Sequence, residues 1–159
     1  MATPALREGL AELLRAELAR AGRLREVLAL ERDALGRRDF PAIEQAAAEK
    51  ERLIAALESL AERQTALLRA AGFPGGNTSL RENLQKTGMA DLLPLWDELQ
   101  DLLRRCRQQN LVNGGVIEMS RRFARDVLAT LRGTVPGSEV YDRCGERRPT
   151  DGSEPLATA

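Results

Sequence analysis

The sequence predicts an all-α protein, in which a long antiparallel helical hairpin and a third long helix form a coiled-coil-like three-helix bundle, followed by a disordered C-terminal tail. Ala, Leu, Arg and Glu dominate the composition, and all four have high helix propensity. Apolar residues recur every three or four positions along three long stretches, which is the spacing of one face of a helix. Aromatic residues make up only 3% of the chain and β-branched residues are scarce, so an extended sheet is not expected.

The first helix is predicted from Thr3 and Pro4 to about Gly36. Thr is a good N-cap, and Pro suits the first helical position because its missing N–H would have no partner there. One apolar stripe runs along this segment and consists of Leu6, Leu10, Leu13, Leu14, Leu18, Ala21, Leu24, Leu28 and Leu35. This pattern predicts an amphipathic helix with one buried face.

The second helix is predicted from Asp39 as the N-cap to Gly72 as the stop. Its seam has the alternating steps of a heptad repeat and consists of Ile43, Ala47, Lys50, Ile54, Leu57, Ala61, Gln64, Leu68 and Ala71. Lys50 and Gln64 interrupt this seam, and we expect a Lys stem that snorkels to solvent and a partly exposed Gln. The short connection to the first helix predicts an antiparallel hairpin.

A third long helix is predicted from near Asp91 to Gly133, after a short helix at residues 79–86. Its seam is the most regular in the chain and consists of Leu92, Trp96, Leu99, Leu103, Cys106, Asn110, Asn113, Ile117, Ser120, Ala124, Val127 and Leu131. Residues 134–159 contain several Gly and Pro residues and little apolar surface to bury. We therefore predict a helical domain over residues 1–133 and a flexible tail over residues 134–159.

The composition disfavours several classes of function. The chain has no His, which removes Ser-His-Asp and Cys-His catalytic sites and every metal motif that contains His. The 24 Lys and Arg residues balance the 24 Asp and Glu residues, so no general attraction to nucleic acid or anionic lipid is expected. We therefore expect a binding protein with no catalytic site, no cofactor and no metal, and with neither nucleic-acid binding nor membrane insertion.

The sequence also predicts a cytoplasmic protein. Cys106 and Cys144 lie far apart and in no CxxC pair, which is typical of free thiols in a reducing compartment. Residues 1–8 lack the basic and apolar regions of a signal peptide. No stretch approaches the ~20 consecutive apolar residues that a membrane-spanning helix needs.

Two amides, Asn110 and Asn113, are in phase with the seam of the third helix, and Gly114 and Gly115 follow directly. Unpaired amides on a seam are unfavourable, and glycines inside a helix cost about 1 kcal/mol each relative to Ala. One interpretation is that the amides fix the register or the oligomeric state of a coiled coil. The other is that this stretch gives up stability in order to contact a partner, with the glycines allowing close approach of another backbone.

Several motifs carry a family resemblance. The central one is Asn110-x-x-Asn113-Gly114, in the middle of a long last helix. The others are Leu95-Trp96-x-x-Leu99-x-x-Leu102-x-x-x-Cys106, Ala48-Glu49-Lys50-Glu51 and Tyr141-Asp142-x-x-Gly145. Together they resemble the N-x-x-N-G signature, the helical pattern and the C-terminal Tyr-Asp segment of the FlgN family of flagellar export chaperones. The resemblance covers nearly the whole chain.

The resemblance implies a chaperone for the hook–filament junction proteins FlgK and FlgL. Such a protein binds the amphipathic C-terminal helical segment of its client, keeps the client unassembled, and hands it to the gate and ATPase complex of the flagellar type III export apparatus. An apolar groove left open by long helices would suit this recognition. The predicted client-binding residues are Asn110, Asn113, Gly114, Val116, Ile117, Met119 and Phe123. Tyr141 and Asp142 are predicted to dock on the export gate, the alternative being a tail Tyr without a role.

Other functions remain open at the level of the sequence. A related export chaperone for another flagellar substrate would share the fold. A structural coiled-coil or adaptor subunit would use the same seams for self-association, and a homodimer in the absence of cargo is compatible with a chaperone as well. A hydrolase using the carboxylates of Glu44, Glu49 and Glu51 is disfavoured, because these residues show no metal-ligand spacing across facing helices.

Overall fold

The structure, a computed structural model, describes residues 3–73 and 80–132. Its elements are α1 (Pro4–Arg37), α2 (Phe40–Ala70), α3 (Leu80–Lys86), a short 3-10 turn (Ala90–Leu92) and α4 (Leu93–Leu131). The predicted all-α fold is confirmed, and no helix in the described ranges has the length and apolarity needed to cross a membrane. The predicted tail at residues 134–159 lies outside the described residues. The chain divides into two compact units, residues 1–115 and residues 116–159.

α1 and α2 form a hairpin joined only by Arg38 and Asp39. The Thr3 hydroxyl caps α1 by accepting a backbone N–H of the first turn at 3.2 Å. The helix continues past Gly36, and Arg38 adopts the left-handed conformation, with φ 56°, that the sequence analysis expects of a glycine stop. The Asp39 carboxylate then accepts the Ala42 N–H at 3.2 Å and caps α2, as predicted.

α4 runs parallel to α1. Arg7 near the start of α1 forms an ion pair with Asp91, just before α4, and the Leu28 carbonyl near the end of α1 accepts a hydrogen bond from Asn113 at 2.9 Å. These partners are 84 and 85 residues apart in the sequence, as parallel helices in one register require. Because α2 folds back on α1, α4 is antiparallel to α2. The three long helices form a bundle within residues 1–115.

Two groups of apolar side chains fill this bundle. The group nearer the start of α1 includes residues from α3 and from the first half of α4, and its largest fully buried members are Leu10, Leu14, Leu84, Met89 and Leu99. The second group lies further along the same helices and consists of Leu24, Val27, Leu28, Ala46, Leu53 and Cys106. The interior therefore extends along the helices from α3 to Cys106, with α3 closing one end.

Candidate functional site

The inward faces of the long helices are organised in layers seven residues apart. The layer positions are Leu10, Glu17, Leu24 and Glu31 on α1, Gln64, Leu57 and Lys50 on α2, Leu92 in the 3-10 turn, and Leu99, Cys106 and Asn113 on α4. Apolar and polar layers alternate, because Glu17 and Glu31 are both buried among leucines. We call the two polar layers the Glu17 layer (Glu17, Gln64, Leu99) and the Glu31 layer (Glu31, Lys50, Asn113).

In the Glu31 layer, one residue from each long helix joins a buried hydrogen-bonded network. The Lys50 ammonium of α2 donates to Glu31 Oε1 at 2.8 Å. The Asn113 amide of α4 donates to Glu31 Oε2 at 2.8 Å and to the Leu28 carbonyl of α1 at 2.9 Å. Bonds to a charged acceptor are among the stronger hydrogen bonds in proteins. The Glu31 carboxylate is therefore bonded through both oxygens to the two other long helices.

The two signature amides have different surroundings. Asn113 is 1% exposed, and its Oδ1 accepts a bond from Gln109 Nε2 at 2.8 Å, so both ends of its amide are engaged inside the protein. Asn110 is exposed, and its Oδ1 accepts a bond from Lys50 Nζ at 3.1 Å. The sequence expectation that Asn113 faces a partner does not fit this position, because the bonds to α1 turn the amide inward. Asn110 is the amide that a partner can reach.

Glu31 and Lys50 are network residues that the sequence analysis does not identify. The sequence predicts that Lys50 snorkels to solvent, whereas its ammonium turns inward to Glu31. Glu31 has no predicted role because charged residues are usually exposed. The sequence does carry a sign of its burial, because Glu17 and Glu31 continue the seven-residue spacing of Leu10 and Leu24. An acid in phase with one leucine seam and a Lys in phase with the neighbouring seam together indicate a buried pair.

In the Glu17 layer, the residue of α2 beside the carboxylate is Gln64 instead of a Lys. Gln64 Nε2 donates to Glu17 Oε2 at 3.4 Å, which is longer than a typical hydrogen bond. Apolar side chains border the same cleft, among them Leu57, Trp96 and Leu99. Burial disfavours the charged carboxylate and raises the pKa of Glu17 to about 7. This layer is therefore least favourable when Glu17 is ionised.

Replacing Glu17 by Gln should stabilise the protein at pH 8 and have a clearly smaller effect at pH 5. The pKa of Glu17 rises from 4.5 to about 7 on folding, so between these values the folded state holds a proton that the unfolded state has lost. The free energy of unfolding therefore falls as the pH rises through this window. Because Gln carries no charge at either pH, urea unfolding at pH 8 should show a gain of about 1–3 kcal/mol.

Glu58→Gln is the matched control, since Glu58 borders the same cleft but is exposed. We expect it to change the free energy of unfolding by less than about 0.5 kcal/mol at either pH. An effect of Glu17→Gln that is equal at pH 5 and pH 8 would contradict the assignment of a raised pKa to Glu17.

Gly114 and Gly115 lie in ordinary helical backbone with open space around them. A Cβ atom built on either glycine has no other residue's heavy atom within 4 Å, and neither residue has a positive φ. The described structure therefore shows no close approach of another backbone at these glycines. Any need for a bare backbone here would have to come from a bound partner.

We expect Gly114→Ala and Gly115→Ala each to raise the free energy of unfolding by up to about 1 kcal/mol, because Ala loses less backbone entropy in a helix. Urea unfolding measures this gain. Gly22→Ala in α1 is the matched control, since Gly22 also has open space around it. If the glycines admit a client's backbone, the α4 variants will weaken client binding while Gly22→Ala will not. Lower stability of the α4 variants would contradict the geometry described for them.

In the second unit, every side chain that the structure describes within residues 116–132 is exposed or half-buried. Leu128 and five other large apolar side chains of this segment are 39–78% exposed, and the five are Val116, Met119, Phe123, Val127 and Leu131. They are three or four residues apart, so they share one face of the helix. We call this face the apolar stripe. On another side of the helix Arg125 donates to Glu118 at 3.2 Å, so that side is polar.

The apolar stripe includes three of the predicted client-binding residues, and a fourth, Ile117, is half-buried beside them. The sequence prediction does not include Val127 and Leu131, although both continue the same helical spacing. The residues predicted to dock on the export gate, Tyr141 and Asp142, lie outside the described residues. The predicted set is thus divided, because Asn113 is buried within the bundle while the apolar residues after Gly115 are accessible.

Within residues 3–73 and 80–132, no three acidic or thiol side chains come together as a possible metal site. Cys106 is buried, and its Sγ donates to the Ala21 carbonyl at 3.6 Å. Burial raises the pKa of the Cys106 thiol, which disfavours the reactive thiolate.

An all-helical fold with an exposed apolar helix face is typical of the class of helical proteins that bind other chains. Within that class, a model of the family described as FlgN protein matches residues 1–149, and the chain belongs to this family of flagellar export chaperones. The resemblance seen in the sequence is confirmed. No match was found among the curated proteins or the solved structures. The family is one of chaperones that assist flagellum assembly and export, not of enzymes.

Proposed function

We propose that this chaperone binds the C-terminal helical segments of the hook–filament junction proteins FlgK and FlgL in the cytoplasm, prevents their premature assembly and delivers them to the export gate. The observation that carries the proposal is the apolar stripe. Contiguous exposed apolar surface on a helix is unfavourable in water and is typical of interaction sites. An amphipathic client helix lying along the stripe would bury it.

Covering the apolar stripe would contribute to the free energy of client binding. Complete burial of a Val, Leu, Phe or Met side chain contributes about 1.5–3 kcal/mol. Met119 and Phe123 are the most exposed members near its middle, at 74% and 68%. Such central aromatic and flexible side chains commonly dominate binding, and Met adapts its shape to different partners. The same surface can therefore serve two clients.

The predicted polar residues then divide into two roles. Asn110 is exposed and can offer its amide to a client, while its bond to Lys50 holds the side chain in place. Gly114 supports the proposal by leaving open space beside α4. Asn113 acts indirectly, since its amide is bonded to Glu31 and Leu28.

The experiment is an isothermal calorimetric titration of the full-length protein with synthetic peptides from the C-terminal segments of FlgK and FlgL. We expect a 1:1 complex with each peptide and a negative heat-capacity change, the marker of buried apolar surface. Peptides of the same composition in scrambled order, which lose the apolar face, are the control. The proposed client would be refuted if native and scrambled peptides bound with equal affinity, or if neither peptide bound.

Deleting residues 134–159 should leave the affinity for the FlgK peptide unchanged and reduce capture of the chaperone–client complex by the purified export gate. The reason proposed is that Tyr141 and Asp142 dock on the gate, with the aromatic ring as anchor. Tyr141→Ala should reproduce the loss of capture, and Ser153→Ala in the same tail is the control. If the deletion abolished client binding, this division of roles would be wrong.

The same stripe also favours the alternative of self-association. A second copy of the chain could cover these apolar side chains, which would give a homodimer without cargo or a structural coiled-coil subunit. Light scattering, with and without the FlgK peptide, distinguishes the chaperone function from the structural one. A dimer that dissociates when the FlgK peptide is added supports the chaperone function, and an oligomer that the peptide does not change supports the structural one.

A further inference from the structure

The register of α4 along the hairpin is less tightly set by its chain connection than that of α2. α1 and α2 are joined by Arg38 and Asp39 alone, so their relative register is fixed by a tight turn. α4 is joined to α2 through residues 71–92, which include the separate helix α3. A connection of this length allows α4 to be placed at different heights along α1. Two sets of contacts can therefore select the native height, namely the packing of Leu84, Met89 and Leu92 beside α1 and the contacts between the long helices.

The apolar contacts between the long helices select the height of α4 only weakly. Inward positions repeat every seven residues as Leu92, directly before α4, and Leu99 and Cys106 within it, and all three are apolar and buried. A slide of α4 by one repeat, ~10.5 Å along the helix, would again place apolar side chains opposite the hairpin. A regular seam of this kind is compatible with more than one register.

The Glu31 layer distinguishes these registers. In the native one, Asn113 donates to Glu31 Oε2 at 2.8 Å and Lys50 donates to Glu31 Oε1 at 2.8 Å. After a slide by one repeat, Cys106 would face Glu31 in place of Asn113, and a thiol is only a weak donor. A buried carboxylate would then lose a strong hydrogen bond. An amide in an otherwise apolar seam fixes register in coiled coils for the same reason.

We propose that Glu31, Lys50 and Asn113 form a register lock, and that Glu31 and Lys50 are positioning residues for client binding. The second part rests on the proposed function. Asn113 is the last buried residue of α4 within residues 93–115, and the apolar stripe begins at Val116 in the same helix. The lock selects which residues of α4 are held by the hairpin, and therefore which apolar residues remain for a client.

The test replaces the polar layer by an apolar one in the full-length protein, with Glu31→Leu, Lys50→Leu and Asn113→Leu together. Because a buried ion pair replaced by leucines is often as stable or more stable, the variant should fold. Register is read from the distance between spin labels at the exposed positions Arg20→Cys and Gln108→Cys, in a background in which both native cysteines are replaced by Ala. Double electron–electron resonance resolves a ~10.5 Å slide.

The wild-type layer should give one narrow distance, and the triple variant should give additional distances that match α4 displaced by one repeat. The dissociation constant for the FlgK peptide should rise by the reciprocal of the fraction at the native distance, so about threefold if one third remains there. The matched control is Glu17→Leu with Gln64→Leu, which makes the other polar layer apolar. It should keep a single distance, because Asn113 is untouched and the α4 member of that layer is already Leu99.

A single narrow distance in the triple variant would refute the register lock. Extra distances with unchanged peptide affinity would refute the positioning role of Glu31 and Lys50. If the wild-type protein binds no junction-protein peptide, the proposed function fails, but the distance measurement still decides whether the layer is a lock. An equally broad distribution in the Glu17-layer control would show that any polar layer has this effect, which would also contradict the proposal.

Discussion

Replacing Lys50 by Met is expected to lower the free energy of unfolding by about 3–5 kcal/mol, a large loss for a side chain that solvent still reaches. The Lys50 side chain is 19% exposed, but its ammonium balances the charge of Glu31, whose side chain is 2% exposed. Met retains the apolar stem and removes the charge. The Glu31 carboxylate is then left in the interior without its cation. Urea unfolding at pH 7 measures the loss.

Two controls separate this effect from general surface damage. Lys86→Met breaks an exposed i,i+4 ion pair with Glu82 and should change the free energy of unfolding by no more than about 0.5 kcal/mol. The double variant Glu31→Gln with Lys50→Met should recover most of the loss, because it removes both charges. A loss from Lys50→Met no larger than that from Lys86→Met would contradict the buried network.

The ends of the helices could be predicted from the sequence because each depends on local chemistry. Thr3 and Asp39 cap α1 and α2 through side-chain oxygens within three residues of the N–H groups that they accept. Gly72 and Gly88 end α2 and α3 with φ of 82° and 78°. The one clear difference, Arg38 in place of Gly36 at the end of α1, arises because Asp39 must begin the next helix immediately. A tight hairpin then requires its left-handed residue directly before that cap.

The partners of the polar seam residues could not be predicted in the same way. Periodicity tells which residues share a face, but it does not tell which helix covers that face. The bond between Asn113 and Glu31 joins residues 82 positions apart, and no local pattern contains it. An amide on a seam is therefore equally compatible with an internal partner and with an external one. The structure gives Asn113 an internal partner and leaves Asn110 exposed.

The two polar layers also show that the bundle is not optimised for stability alone. Glu31 has Lys50 and Asn113 as partners, whereas Glu17 has only a long hydrogen bond from Gln64 and a raised pKa. Leucine at each of these positions would be compatible with the seam and would remove the desolvation of two carboxylates. A role in specifying the register of α4 would explain why the Glu31 layer is polar. The Glu17 layer has no explanation of this kind in the described contacts.

Introducing Glu at both Met119 and Phe123 is expected to weaken binding of the FlgK and FlgL peptides by about 100-fold or more. Truncation of a central anchor commonly costs about 2 kcal/mol or more in binding, and each Glu also places a charge where an apolar client face should pack. Both side chains are largely exposed in the free protein, at 74% and 68%. The free energy of unfolding should therefore change by less than about 0.5 kcal/mol. Isothermal titration and urea unfolding give the two quantities separately.

The separation of affinity from stability is what makes this prediction informative about the site. Arg121→Gln with Arg125→Gln is the matched control, since it changes the net charge by the same amount, and both residues lie away from the apolar stripe on the same helix. If client affinity depended on net charge, the two double variants would weaken it equally. If the client instead bound the bundle within residues 1–115, the Met119 and Phe123 substitutions would leave its affinity unchanged. Only contact along the stripe predicts a large loss for one pair of substitutions and almost none for the other.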